Sequence, residues 1–279
     1  MTELLLTGLK LAVALMILGI GLSTTVADLG LLWRRPGLLL RSLLAMYVLV
    51  PAVAIALVKL LPITIPAKIA LLVLAVSAGA PLLPRRLATF GSRGYVFSLV
   101  VTSSLASIVL VPLSIGVLTR NFAAHIDVQP LQAAAVIGKS FLAPLALGMV
   151  LRTLWPALGE RLVHGLTAAA GLLLVACALL LLLLNHALLI DARWSGFGAL
   201  MLLMVIALAI GQALGGPDPD DRTALAVACA TRHLGIAVLV ATSFPGPRVV
   251  VLISAYIVIS VVVSVPYLAW RKRRRLAAA

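Results

Sequence analysis

Residues 223–243 read TALAVACATRHLGIAVLVATS, and in this stretch the pair Arg232–His233 interrupts an otherwise apolar run. The run is long enough to cross a bilayer, because ~20 apolar residues span a hydrocarbon core of ~30 Å. Counted from Thr223 at ~1.5 Å per residue, Arg232 lies ~14 Å deep, near the centre of that core. An ionisable pair at this depth predicts a functional site that faces protein or water. The alternative is a structural arginine that only satisfies carbonyls of an irregular helix.

The neighbours of the pair indicate a locally broken helix. Thr231 precedes Arg232, and Gly235 follows two residues after His233. Irregular backbone at membrane depth is tolerated only where it is buried in protein or lines a cavity. The stretch therefore predicts an interrupted helix that lines a binding cavity.

The composition of the whole chain is typical of a polytopic helical membrane protein. Of its 279 residues 63% are hydrophobic and only 11% are charged, with a mean hydropathy of +1.21. The net charge of +14 does not indicate nucleic acid, because the basic residues lie between apolar spans and only 5% of the residues are aromatic. Cys177 and Cys229 both fall inside apolar spans, so we expect no disulfide framework, no metal site and no cofactor.

Nine apolar spans can be drawn, and their short connections carry Pro, Gly, Asp or Arg. The spans are Leu4–Val26, Leu38–Leu60, Ala67–Phe90, Tyr95–Thr119, Gln132–Leu154, Leu162–His186, Gly196–Leu214, Thr223–Phe244 and Val249–Trp270. The first span lacks a preceding basic region and a small-residue cleavage site, so we expect a retained helix rather than a signal peptide. The sequence predicts one all-α transmembrane domain over residues 1–279.

The basic residues between the spans predict how the chain is oriented. Nine spans place the termini on opposite sides, and one side collects thirteen basic residues against five on the other. The positive-inside rule then places the basic tail, residues 271–279, in the cytoplasm and the N-terminus outside. We expect a multi-pass protein of the cell (inner) membrane. The tail is interpreted as a stop-transfer anchor, with anionic-lipid binding as the alternative.

The third and eighth spans are both interrupted. In the third, SAGAPLLPRR at residues 77–86 places Gly79, Pro81 and Pro84 well inside the apolar run, and each proline removes a backbone donor. Paired interruptions in the two halves of a chain are the best sequence indication of a transporter's binding site. Proline kinks without a site are the alternative, and the Arg–His pair favours the site. We expect the interruptions around Pro81–Pro84 and Thr231–Gly235 to cross near the bilayer centre.

Several residues, taken in order, carry a resemblance over nearly the whole chain: Gly19, Gly21, Leu22, Asp28, Arg35, Pro36, Pro51, Ala80, Pro81, Lys139, Pro144, Gly148 and the stretch from Ala228 to Gly235. Their order and spacing resemble the bile acid:sodium symporter family. The resemblance implies inverted helical repeats divided into a panel and a core, with two broken helices that cross in the core. One helix of that family's ten has no counterpart here, which implies a 4+5 arrangement.

This chain departs from sodium-coupled members of that family at the matching positions. The resemblance implies a Glu and, four residues later, a Gln–Asn pair in the second crossing helix, where this chain has Ala228, Arg232 and His233. All eight acidic residues lie outside the spans or at their ends. Because sodium favours hard oxygen ligands that usually include a carboxylate, we expect degenerate sodium sites. The remaining candidate ion ligands are Ser98, Thr102 and Ser103.

The arginine favours an anion instead. Arg232 offers a planar fork to a carboxylate, sulfonate or phosphate. His233 titrates in the physiological range and is a candidate for proton coupling, the alternative being a neutral imidazole bonded to a carbonyl. We therefore predict a secondary carrier for a small organic anion that works by alternating access, with Thr231, Gly235 and Pro81 shaping the site.

Other functions are weighed against this prediction. An enzyme is not expected, because the sequence has no intramembrane Asp pair, HExxH motif or Ser-His-Asp set. Two alternatives stay open: a sodium-coupled organic anion symporter with a rebuilt ion site, and a non-transporting membrane sensor on the same fold.

Overall fold

The computed structural model describes residues 2–23, 34–78, 95–96, 98–103, 106, 109–110, 113, 143–191, 193–241 and 247–278. All regular structure in these ranges is helical, and they contain no strand. The predicted all-helical class is confirmed.

The helices of the described ranges, numbered in chain order, are α1 Thr2–Ser23, α2 Pro36–Leu60, α3 Ile65–Val76, α4 Ala143–Leu154, α5 Pro156–Leu184, α6 His186–Asp191, α7 Arg193–Leu214, α8 Pro219–Ala230, α9 Leu234–Ala241 and α10 Arg248–Ala278. Inside α2, Ala45–Leu49 form a π-helical turn. Residues 95–96 and 98–103 are also helical.

Five of these helices, α1, α2, α5, α7 and α10, are long and apolar enough to cross a membrane, and α3 and α4 are shorter apolar helices. The chain is therefore a polytopic helical protein. The third, fourth and fifth predicted spans lie partly outside the described residues, so the number nine stays a prediction, as does the 4+5 repeat.

Several helix bounds differ from the sequence prediction by a few residues, and for two of them the structure supplies the reason. Helix α8 begins at Pro219 rather than Thr223, because Asp218 caps it: its Oδ1 accepts the N–H of Asp220 at 2.7 Å. Helix α10 does not end at Trp270 but continues to Ala278. Arg271 on this extension donates from Nε to the hydroxyl of Thr223 at 2.8 Å, which ties the extension to α8.

The helices pack in two groups. One group has α1 lying along α5, with α4 against α1; the other holds α2, α3, α7, α8, α9 and α10. The two groups also contact each other, through α5 against α10 and α1 against α9. Glycines allow the closest approaches, as is usual between membrane helices. Gly21 of α1 lies against Gly148 of α4, where a Cβ on Gly148 would come within 2.4 Å of a backbone oxygen.

Gly211 brings α7 against the backbone of α8. A Cβ added there would lie 2.4 Å from the Cα of Ala226, and backbone cannot move aside as a flexible side chain can. We expect Gly211→Ala to lower the free energy of unfolding by about 1–3 kcal/mol, the usual cost of overpacking. Gly198→Ala on the same helix is the matched control, since nothing lies within 4 Å of its added Cβ. Thermal unfolding of the two purified variants in detergent checks this, and equal midpoints would contradict the close α7–α8 contact.

Candidate functional site

The eighth span is interrupted where the sequence predicts. Helix α8 ends at Ala230, Thr231–His233 are not helical, and α9 begins at Leu234. The assignment of Gly235 to the interruption is wrong, because Gly235 lies in the first turn of α9. The carbonyl of His233 already accepts the N–H of Ala237 at 3.0 Å, so helical hydrogen bonding resumes before Gly235.

Helices α3 and α8 end in the same way. Each is followed by a hydroxyl residue that donates both its N–H and its side-chain O–H to the carbonyl of a valine four residues back. The distances from Ser77 to Val73 are 3.0 and 2.7 Å, and those from Thr231 to Val227 are 2.8 and 2.6 Å. The two helix ends therefore have the same hydrogen-bond arrangement, in which a side-chain hydroxyl shares a carbonyl with the main-chain N–H of its own residue.

A hydrogen bond joins these two helix ends. The N–H of His233 donates to the carbonyl of Ser77 at 2.9 Å. The interruption of the eighth span therefore lies directly against the end of α3. Helix α3 ends at Val76, several residues before the predicted break, while Pro81 and Pro84 lie outside the described residues.

Arg232 is a buried cation whose guanidinium has only one hydrogen-bond acceptor among the described residues. Its side chain is 2% exposed, and Thr231 and His233 on either side of it are also buried. Its Nη1 donates to the carbonyl of Met46, in the π-helical turn of α2, at 3.4 Å. Its Nε and Nη2 atoms have no hydrogen-bond partner among the described residues.

No carboxylate balances this charge in the part of the chain that the structure describes. The ion pairs among the described residues lie at helix ends. They join Arg35 to Asp221 at 3.7 Å, Arg152 to Glu160 at 2.9 Å and Arg275 to Asp220 at 3.6 Å. The described residues also contain no group of three or more His, Cys, Asp or Glu side chains that could hold a metal ion. The site is positively charged, and its uncompensated donors suit an anion.

Two tyrosines belong to the surroundings of Arg232, and the sequence interpretation missed both. The hydroxyl of Tyr256 on α10 donates to the carbonyl of Ala230, the last residue of α8, at 2.5 Å. The hydroxyl of Tyr47, in the π-helical turn, donates to the carbonyl of Ser103. Both lie within electrostatic range of Arg232. A phenol deep in an apolar span was the available signal, since its hydroxyl needs a partner there.

The candidate ion ligands Ser98, Thr102 and Ser103 are all buried on the helical residues 98–103. The hydroxyl of Ser103 donates to the carbonyl of Val100 at 3.0 Å, within its own helix. This segment is connected to the surroundings of Arg232 through Tyr47.

The long apolar helices indicate a multi-pass membrane protein. A sequence model of the Sodium Bile acid symporter family matches residues 10–192, and the chain belongs to that family. The match ends before α8, so Arg232 and His233 lie beyond the matched residues. No curated protein matches the chain significantly.

The bond from Tyr256 to Ala230 secures the end of α8. We expect Tyr256→Phe to destabilise the protein by about 0.6–1.7 kcal/mol, the range measured for side-chain hydrogen bonds in membrane proteins, because the variant leaves a buried carbonyl without this donor. Tyr267→Phe, which removes a half-buried bond to Gln212 on α7, serves as the control and should leave the interruption at Thr231–His233 intact. Hydrogen–deuterium exchange should show faster exchange at Thr231 and His233 in Tyr256→Phe alone; unchanged exchange there would contradict the role of this bond.

Proposed function

We propose that the chain is a secondary carrier that moves a small organic anion across the membrane by alternating access. The observation that carries the proposal is the buried guanidinium of Arg232, whose Nε and Nη2 have no partner among the described residues. Burying an uncompensated charge costs several kcal/mol, whereas an anion bound to these donors offsets that cost.

Electrostatics argue against a sodium ion beside Arg232. At ~4 Å separation and an effective dielectric constant of ~20, two unit positive charges repel each other by ~4 kcal/mol. The chain has no acidic residue within the predicted spans to compensate. Because of this repulsion and the lack of a compensating carboxylate, we propose that the family's sodium sites are degenerate in this chain.

The arrangement of the helices supports a carrier. The ends of α3 and α8 are alike and contact each other through Ser77 and His233, as expected for corresponding helices of two inverted repeats. The two packing groups, α1 with α4 and α5 against α2, α3, α7, α8, α9 and α10, suit a panel and a core. Movement of one group against the other around Arg232 is the corresponding form of alternating access.

The orientation proposed from the basic residues is supported by the ion pairs. Arg35 at the start of α2 and Arg275 at the end of α10 both pair with the start of α8. These helix ends therefore lie on the same side, which is the side assigned to the cytoplasm by its basic residues. One transmembrane domain over the whole chain remains our interpretation of its organisation.

A sodium-coupled symporter with a rebuilt ion site is the second candidate. The hydroxyls of Ser98, Thr102 and Ser103 favour it, since they are buried hard oxygen ligands, and the segment that carries them bonds Tyr47 through the carbonyl of Ser103. A non-transporting sensor would bind the anion at the same arginine without moving it.

The first test separates an arginine site from a sodium site. We expect Arg232→Gln to weaken anion uptake or binding about ten- to a hundredfold, because a charge-assisted hydrogen bond contributes ~1.5–3 kcal/mol. Arg41→Gln, an exposed position on α2, is the matched control and should leave affinity unchanged. Uptake of radiolabelled benzoate and cholate into proteoliposomes should change little when sodium is replaced by potassium. A large sodium requirement would favour the second candidate, and binding without uptake would favour the sensor.

The second test concerns proton coupling. His233 adjoins Arg232, and a bound anion would stabilise an imidazolium there while an empty site would not. If anion and proton move together, His233→Asn should flatten the pH dependence of uptake between about pH 5 and 8 without abolishing binding. Initial rates in proteoliposomes at a series of external pH values provide the measurement. An unchanged pH profile would remove His233 as the coupling group while leaving the anion site in place.

A further inference from the structure

The π-helical turn Ala45–Leu49 leaves one carbonyl of α2 without a donor from its own helix. Val50 donates its N–H to the carbonyl of Ala45, five residues back, and so does not serve Met46. The next residue is Pro51, which has no N–H. The carbonyl of Met46 is therefore left for a donor from elsewhere, and Nη1 of Arg232 supplies one at 3.4 Å.

This contact decides which part of the guanidinium remains open. Nε–H and one N–H of Nη2 point in the same direction along one edge of the planar group, where they match two oxygens of a single oxyanion. They are the two atoms that lack a partner among the described residues. If the only role of Arg232 were to satisfy Met46, a single donor would suffice, and two buried donors would not be left over.

We propose that the π-helical turn and Pro51 are the positioning element of the anion site: by exposing the Met46 carbonyl they fix Arg232 with its Nε–Nη2 edge presented as a two-point fork. This inference rests on the proposed function. It assigns a role to residues that do not touch the anion, in a type of helical turn that is frequent at functional sites. Two-point recognition then favours an anion with two oxygens in one plane over a spherical anion of the same charge.

Pro51→Ala tests the positioning role, because alanine adds an N–H five residues after Met46 that competes with Arg232 for its carbonyl. Pro266→Ala is the matched control: it also restores a missing N–H within a helix, in α10. The measurement is calorimetric titration of the purified full-length protein in detergent with potassium benzoate, a planar two-oxygen anion, and with potassium bromide, a spherical one.

We expect Pro51→Ala to weaken benzoate binding about tenfold, the loss of one charge-assisted hydrogen bond, and to change bromide binding less than twofold. Pro266→Ala should bind both anions as the wild type does. If Pro51→Ala does not fold, Arg232→Lys tests the two-point fork on which the proposal depends, since lysine keeps the charge but has no second parallel donor, and an unchanged preference for benzoate would overturn the proposal. Arg232→Lys should lose the preference for benzoate while still binding bromide.

The outcomes separate this inference from the proposed function. Benzoate affinity that is unchanged in Pro51→Ala, or an equal loss for both anions, overturns the positioning role, while the loss of binding in Arg232→Gln still supports an anion site. If the wild-type protein binds neither anion and Arg232→Gln does not change anion uptake, both the positioning role and the proposed function are overturned.

Discussion

The hydrocarbon core contains no water, so each backbone group and charge placed there must find its partner inside the protein. The interruption at Thr231–His233 opens the main chain at this depth, and the neighbouring helices supply the partners. Ser77 at the end of α3 accepts from His233, Tyr256 on α10 donates to Ala230, and the carbonyl of Met46 in α2 accepts from Arg232. The packing of α2, α3 and α10 around α8 therefore depends on one break in the backbone.

The same break explains how the protein accommodates a buried arginine. A π-helical turn leaves a carbonyl unsatisfied, and a guanidinium at the broken helix donates to it. Neither feature is favourable alone, since each would leave a buried polar group without a partner. The remaining donors of Arg232 leave a buried positive charge that no carboxylate among the described residues balances.

The sequence predicted several parts of this arrangement well. The eighth span was expected to break beside Arg232 because Thr231 and Gly235 flank the charged pair, and the helix does break there. The expectation for Gly235 was wrong because glycine is tolerated within membrane helices when neighbours satisfy the backbone. The sequence interpretation missed the π-helical turn. The residues around Pro51 form an apolar pattern that is the same with or without an inserted residue, so hydropathy gave no signal for the turn.

The sequence by itself determined the class of the protein and the existence and approximate bounds of its long apolar helices. These properties depend on hydropathy and length along one dimension, which a bilayer of known thickness converts directly into structure. Only the tertiary structure decided which groups surround the arginine. The carbonyls of Ser77 and Met46 accept from His233 and Arg232, and the phenol of Tyr256 donates to Ala230. No side-chain pattern records which carbonyl will lie opposite which donor. That pairing is set by the relative positions of packed helices, and the structure places them so that two donors of Arg232 have no partner among the described residues.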